Sequence, residues 1–114
     1  MEKKTFDYLE NVDFAATVCD KDGIVLYQNA CARKRDGDVV GKNLFGCHKK
    51  ATAEFIRQMI DAGKSNTYEV IRHGKRKLLH QTPWFEEPSG AVAGLVEIAI
   101  DLPEKYTVLN KGDE

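Results

Sequence analysis

The spacing of apolar and polar positions changes character three times along this chain. From Ala16 to Cys19 a short apolar run is cut by Asp20-Lys21-Asp22-Gly23, and Ile24 to Gln28 is β-branched and aromatic. Aspartate bonds its own backbone two residues on and glycine takes φ > 0 freely, so the pair predicts a β-hairpin. Asn29 then ends the strand and is a good N-cap for a helical turn at Ala30-Cys31-Ala32, since its side-chain oxygen accepts from an orphan first-turn amide. Arg33 to Asp38 is polar and carries Gly37, which predicts short turns. Lys49 to Ala62 is periodic in a different way. Phe55, Ile56, Met59 and Ile60 form one apolar stripe while Glu54, Arg57, Gln58 and Asp61 face water, so a long helix is expected, capped by Gly63.

Beyond that helix the period shortens to two. Thr67 to Arg72 alternates, His73-Gly74 turns the chain, and Lys77 to Phe85 runs back. Glu86 to Gly90 turns it again into Ala91 to Asp101. In this last strand Gly94, Val96, Ile98 and Ile100 share one face, and Ala93, Leu95, Glu97 and Ala99 share the other. The first set is expected to face the core. The second is mixed and is expected on a partly covered outer side. Upstream, Thr5 to Asn11 predicts a short helix with Phe6 and Leu9 on one side. Two strands, then helices, then three strands predict an α+β fold: an antiparallel five-stranded sheet with helices packed on one face and a short N-terminal helix. The expected organisation is a cap at 1–13, one domain at 14–102, and a C-terminal tail or signalling linker at 103–114.

Composition narrows the function classes. The 114 residues are 42% apolar, enough for one core, and 17 basic side chains against 18 acidic ones leave a formal charge of −1. Phosphate binding needs a surplus of Lys and Arg, so direct nucleic-acid contact is not expected. The basic run Arg72 to Lys77 surrounds a turn glycine and reads as a solvated hairpin tip. No apolar run nears the ~20 residues that span a bilayer, and the first residues lack the apolar middle of a secretory signal. Cys19, Cys31 and Cys47 are an odd number without a Cys-x-x-Cys pair, which points to a reducing, cytoplasmic setting. The three cysteines and His48, His73 and His80 offer no zinc-ligand spacing, so no metal is expected. No glycine-rich phosphate loop or paired-acid signature is present, and an enzyme is not expected.

Four segments, in this order and spacing, resemble a PAS domain across Ala16 to Leu102. They are Asp20 to Asn29, Val40-Gly41-Lys42-Asn43-Leu44-Phe45, Gln81-Thr82-Pro83-Trp84-Phe85 with Gly90, and Gly94 to Asp101. The resemblance implies a sensory module of signal transduction and transcription regulation that binds a small molecule or protein partner and signals through dimerisation. Only twelve positions separate Asn29 from Gly41, short for the family, so any cavity should be small. A LOV-type flavin photosensor would need a cysteine where Leu44 stands, so flavin is not expected.

Cys47 and His48 precede the long helix, where exposed N–H groups favour a thiolate and disfavour imidazolium. They are candidates for a redox thiol and an axial haem ligand, which makes a haem- or thiol-based sensor the alternative function. A purely structural dimerisation module is a further alternative. A ligand pocket between sheet and long helix is expected from Phe45, His48, Met59, Tyr68, Leu79, Gln81 and Val96, an apolar lining with a few polar members. His80 and Gln81 lie on alternate faces of an apolar strand, so one of them should point inward. A homodimer is expected through Phe6 and Leu9 with Leu95, Ala99 and Ala93, which look too apolar for a solvated face.

Overall fold

The first hairpin is closed by its own side chain: Asp20 Oδ1 accepts from the amides of Asp22 and Ile24, each at 2.9 Å. A computed structural model describes residues 7–44 and 50–112, the side chains of 50–52 excepted. In chain order the elements are α1 (Asp7–Glu10), β1 (Ala15–Asp20), β2 (Val25–Gln28), α2 (Ala30–Asp36), α3 (Lys50–Ala62), β3 (Asn66–Arg72), β4 (Lys75–Phe85) and β5 (Val92–Asp101). The strands form one antiparallel sheet in the order β2-β1-β5-β4-β3. The last strand thus enters between the hairpin and the other two. The turns work as their residues require. His73 and Gly74 both take positive φ, and the amides of Gly63 and Lys64 close α3 on the Met59 carbonyl.

One side chain joins the N-terminal third. Asn29 is fully buried; its Oδ1 accepts from Ala32 N and from Ala16 N, both at 3.0 Å. Its Nδ2 donates to the carbonyls of Leu9 at 2.9 Å and Phe14 at 2.8 Å. Two donors and two acceptors are all that an amide side chain has, and each is used here. The expected helix cap therefore also fastens β1 and the chain leaving α1. Glu10 adds a polar latch, accepting from Tyr27 Oη at 3.0 Å and pairing with Arg33 of α2. The Arg33 hydrogen bond is the main reason the Glu10 carboxyl lies below its ordinary pKa.

Cross-strand register sorts the covered sheet face into three rows. Ala15, Ala99 and Leu79 stand opposite one another and pack with Ala32 of α2. Cys19 and Leu95 stand opposite one another and pack with Ile56, Met59 and Ile60 of α3. Between these two apolar clusters runs a polar row across all five strands: Gln28, Thr17, Glu97, Gln81 and Asn66.

Three expectations are corrected. α2 continues through Arg33 to Asp36 instead of breaking into turns, ending at Gly37 with φ 78°. Phe55 is half-exposed and leaves the α3 stripe to Ile56, Met59 and Ile60. The faces of β5 are exchanged. Leu95 and Ala99, expected on the outer side, are 2% and 5% exposed within the core, and Ala93 is buried with them. Val96, expected in the pocket, lies on the opposite face with Ile98, both half-buried. Pairing with β1 decides the phase, because Ala15 and Cys19 already face the helices.

On the outer face the indole of Trp84 in β4 reaches across β5 to donate to Cys19 O in β1 at 3.0 Å. It passes over Gly94, where a Cβ would stand 2.0 Å from Cys19 O and 2.6 Å from Trp84 Nε1. Both neighbours are held by the sheet, so neither can yield cheaply. Gly94→Ala is therefore expected to cost about 1–3 kcal/mol, the usual range for overpacking. Urea unfolding followed by the fluorescence of Trp84, the chain's one tryptophan, measures it. A midpoint equivalent to less than about 0.5 kcal/mol of change, ordinary for a surface site, would contradict this close approach.

Candidate ligand site

A polar row in the middle of a covered sheet face is costly unless its groups find partners. The segment from α2 to Leu44 supplies most of them. Gln28 Nε2 donates to Gly37 O at 3.0 Å, and Gln28 Oε1 accepts from Val39 N at 2.8 Å. Glu97 Oε2 accepts from Gln81 Nε2 at 2.7 Å, and Glu97 Oε1 faces Arg35 of α2 at 3.5 Å. The Arg35 guanidinium is committed mainly to Asp36, with contacts of 2.7 and 3.0 Å. One valence remains open. Gln81 is 4% exposed, and its Oε1 has no hydrogen-bond partner among the described residues.

Over the Gln28, Thr17 and Glu97 part of this row, and not lined by Gln81, lies a cavity of about 260 Å³. Thr17, Gln28, Arg35, Asp36 and Glu97 form its polar wall; Cys19, Val25, Val39, Leu44 and Leu95 form its apolar one. The volume falls just under the ~300–1,000 Å³ of pockets for drug-sized ligands. A second hollow of about 450 Å³ lies on the opposite face and is wholly apolar, with Leu9, Phe14, Val18, Leu26, Trp84 and Val96 around it.

The structure distributes the expected pocket residues over several places. Gln81 points inward beside Glu97, whereas its neighbour His80 lies on the outer face, with Nδ1 2.6 Å from Thr67 Oγ1. Leu79 sits in the cluster under α2, and Tyr68 follows it in the ladder at a half-exposed edge. The phenol of Tyr68 is pushed above its ordinary pKa, first by burial and then by the Glu97 charge. Met59 belongs to the other cluster, across the polar row. Val96 is absent from the cavity and lines the outer hollow. Of the dimer-face candidates, Leu9 borders the outer hollow, while Leu95 lines the inner cavity. Phe6, Phe45, Cys47 and His48 lie outside the described residues. Thr17, Gln28, Arg35 and Glu97 were missed. The available signal was Glu97 itself, a charge in phase with Leu95 and Ala99.

Cys19 lines the cavity as a thiol. Burial is the main cause that pushes its pKa up to about 11, so it stays protonated at neutral pH and is a poor nucleophile. Among the described residues no group of three or more His, Cys, Asp or Glu is placed to hold a metal ion. No helix among them is long and apolar enough to cross a membrane.

No protein-family model and no curated protein matches the chain. Solved structures do. The PAS domain of histidine kinase ThkA matches with a TM-score of 0.66 and 14% identity, over 79% of this chain and 100% of that one. A sensory box sensor histidine kinase from Vibrio cholerae matches at 0.63 and 18%, over 85% and 88%. The Vibrio cholerae VqmA dimer, described with its target DNA absent, matches at 0.70 and 17%, over 90% of this chain and 53% of that one. The chain has a PAS-like α+β fold.

Iodoacetamide labelling of the folded protein at pH 8 is expected to leave Cys19 far behind Cys31, which is only partly buried. The pKa rise from 9.0 to about 11 alone lowers the thiolate fraction roughly a hundredfold. Equal labelling of the two sites by peptide mass spectrometry would show that Cys19 is not held in this environment.

Proposed function

We propose that this chain is a sensory module that binds a compact small molecule in the helix-face cavity and passes its occupancy to a homodimer interface on the outer sheet face. The observation that carries the proposal is the cavity over the polar row, where Thr17, Gln28, Glu97 and the Arg35–Asp36 pair meet an apolar wall. Convergent polar groups in a mostly apolar hollow are what a small-ligand site needs: the apolar wall supplies burial and the polar groups fix orientation. The PAS-like fold of sensor kinases supports a signalling role as an analogy of architecture. VqmA, similar in fold, has been solved bound to DPO. The module binds and does not catalyse.

The outer hollow supports the second half of the proposal. Val18, Leu26, Trp84 and Val96 form an apolar surface beside Leu9, and a second copy would remove it from water. β5 links the two faces directly: Leu95 and Glu97 border the cavity while Val96, between them, borders the hollow. A ligand that shifts β5 therefore changes both sides of the sheet at once.

A native mass spectrum tests both parts together. The wild-type protein is expected to fly as a dimer carrying a small non-covalent adduct. Val96→Glu is expected to give a monomer that keeps the adduct, because that side chain does not touch the cavity. A wild-type monomer without any adduct would overturn this function.

A further inference from the structure

We infer that the free edge of β3 receives an extended, acidic peptide segment of a partner protein, added as a further strand whose acidic end lies at the basic tip of the β3–β4 hairpin. This edge lies apart from both the inner cavity and the outer hollow, neither of which β3 lines. The inference is therefore independent of the ligand-binding function proposed above.

The two edges of the sheet differ. β2 is covered: Val25 donates to Lys42 O at 3.0 Å, Gly41 donates to Val25 O at 2.8 Å, and Ile24 bridges to Asn43. β3 has no such cover among the described residues. Its seven residues contain no proline and hold register with β4 from end to end. A regular, unpaired edge of that length is a template for another strand. Register identifies its open groups. His73 and Gly74 both take positive φ in a two-residue turn, so Arg72 and Lys75 close the hairpin as a hydrogen-bonded pair. Alternation then turns the backbone groups of Tyr68, Val70 and Arg72 toward β4. Those of Thr67, Glu69 and Ile71 point away from the sheet, and all three residues are exposed.

Charge selects the partner. From Arg72 to Lys77 stand four Lys and Arg side chains and no acid. Glu69 engages Arg76, and Asp101 lies 3.6 Å from Lys77, which leaves Arg72 and Lys75 without an ion pair among the described residues. Both are exposed at the end of the open edge. Every pairing in this sheet is antiparallel, and a strand antiparallel to β3 begins at the tip, so its first residues meet these cations. A second copy of β3 lacks this match. Two-fold antiparallel pairing sets residues of equal parity opposite one another, so Arg72 never stands across from Glu69.

The test uses two capped peptides, acetyl-EETVTVTV-amide and its counterpart beginning with two lysines, each added to ¹⁵N-labelled full chain. The acidic peptide is expected to slow hydrogen exchange at the Thr67, Glu69 and Ile71 amides. It is expected to bind roughly tenfold tighter than the basic one at low salt, with the gap narrowing as salt rises. Ile71→Pro removes one outward amide and leaves the β4 ladder intact, so it is expected to abolish binding. N-methylation of the acidic peptide asks the same question without altering the protein: methyls on one alternate set of its amides should abolish binding, and on the other set should not. No protection of the three amides at millimolar peptide would overturn the inference, as would equal affinity for the two peptides. Protection that grows with protein concentration in the absence of peptide would assign the edge to a second copy and overturn it too.

Discussion

A band of five polar side chains crosses the sheet between two apolar clusters, and the arrangement of the helical layer follows from the need to satisfy it. Buried amide and carboxylate groups without partners cost on the order of 1–3 kcal/mol each, a large share of a small domain's stability. One stretch, from Arg35 to Val39, gives Gln28 both of its partners, while Glu97 is bonded to Gln81 within the row and reaches Arg35 at 3.5 Å. That stretch is in place because Asn29, four times hydrogen-bonded, fixes the start of α2 against β1. Helix position, cavity and polar wall are thus consequences of one local cap and one polar row, buried at Gln28 and Gln81.

The two faces of the sheet are coupled through short, stiff connections. Trp84 bonds across Gly94 to the carbonyl of Cys19, whose side chain lines the inner cavity. Thr17 and Val18 are consecutive in β1, one bordering the cavity and the other the outer hollow. Strands pleat with a period of two, so displacement of either face must appear on the other. A sensor built on such a sheet needs no long relay. The inner cavity and the outer hollow are separated by one thickness of backbone.

Local signals made much of the fold legible in the sequence. The hairpin at Asp20–Gly23, the cap at Asn29, the stripe of Ile56, Met59 and Ile60 and the turn at His73-Gly74 each depend on residues a few positions apart. The phase of β5 depends on something else. Both of its faces are apolar, Leu95 with Ala99 and Val96 with Ile98, so alternation alone cannot choose between them. The charge of Glu97 argued for the solvent side. Its inward position is stabilised by Gln81, sixteen residues away, and Arg35, sixty-two residues away. The candidate site was missed in part for the same reason. Gln81 was legible as a polar interruption of an apolar strand, whereas Thr17 and Arg35 look ordinary until pairing and helix placement bring them to Glu97. Arg33 to Asp36 read as turns because α2 buries only its short apolar side at Cys31 and Ala32.

The central claim is the proposal that the cavity over Gln28, Thr17 and Glu97 holds a small ligand. A high-resolution electron-density map of the protein purified without added ligand tests it most directly. The account predicts non-protein density in this cavity, larger than water and within hydrogen-bonding distance of Glu97 or Thr17. A cavity closed by packed side chains, or one that holds ordered water alone, would contradict it.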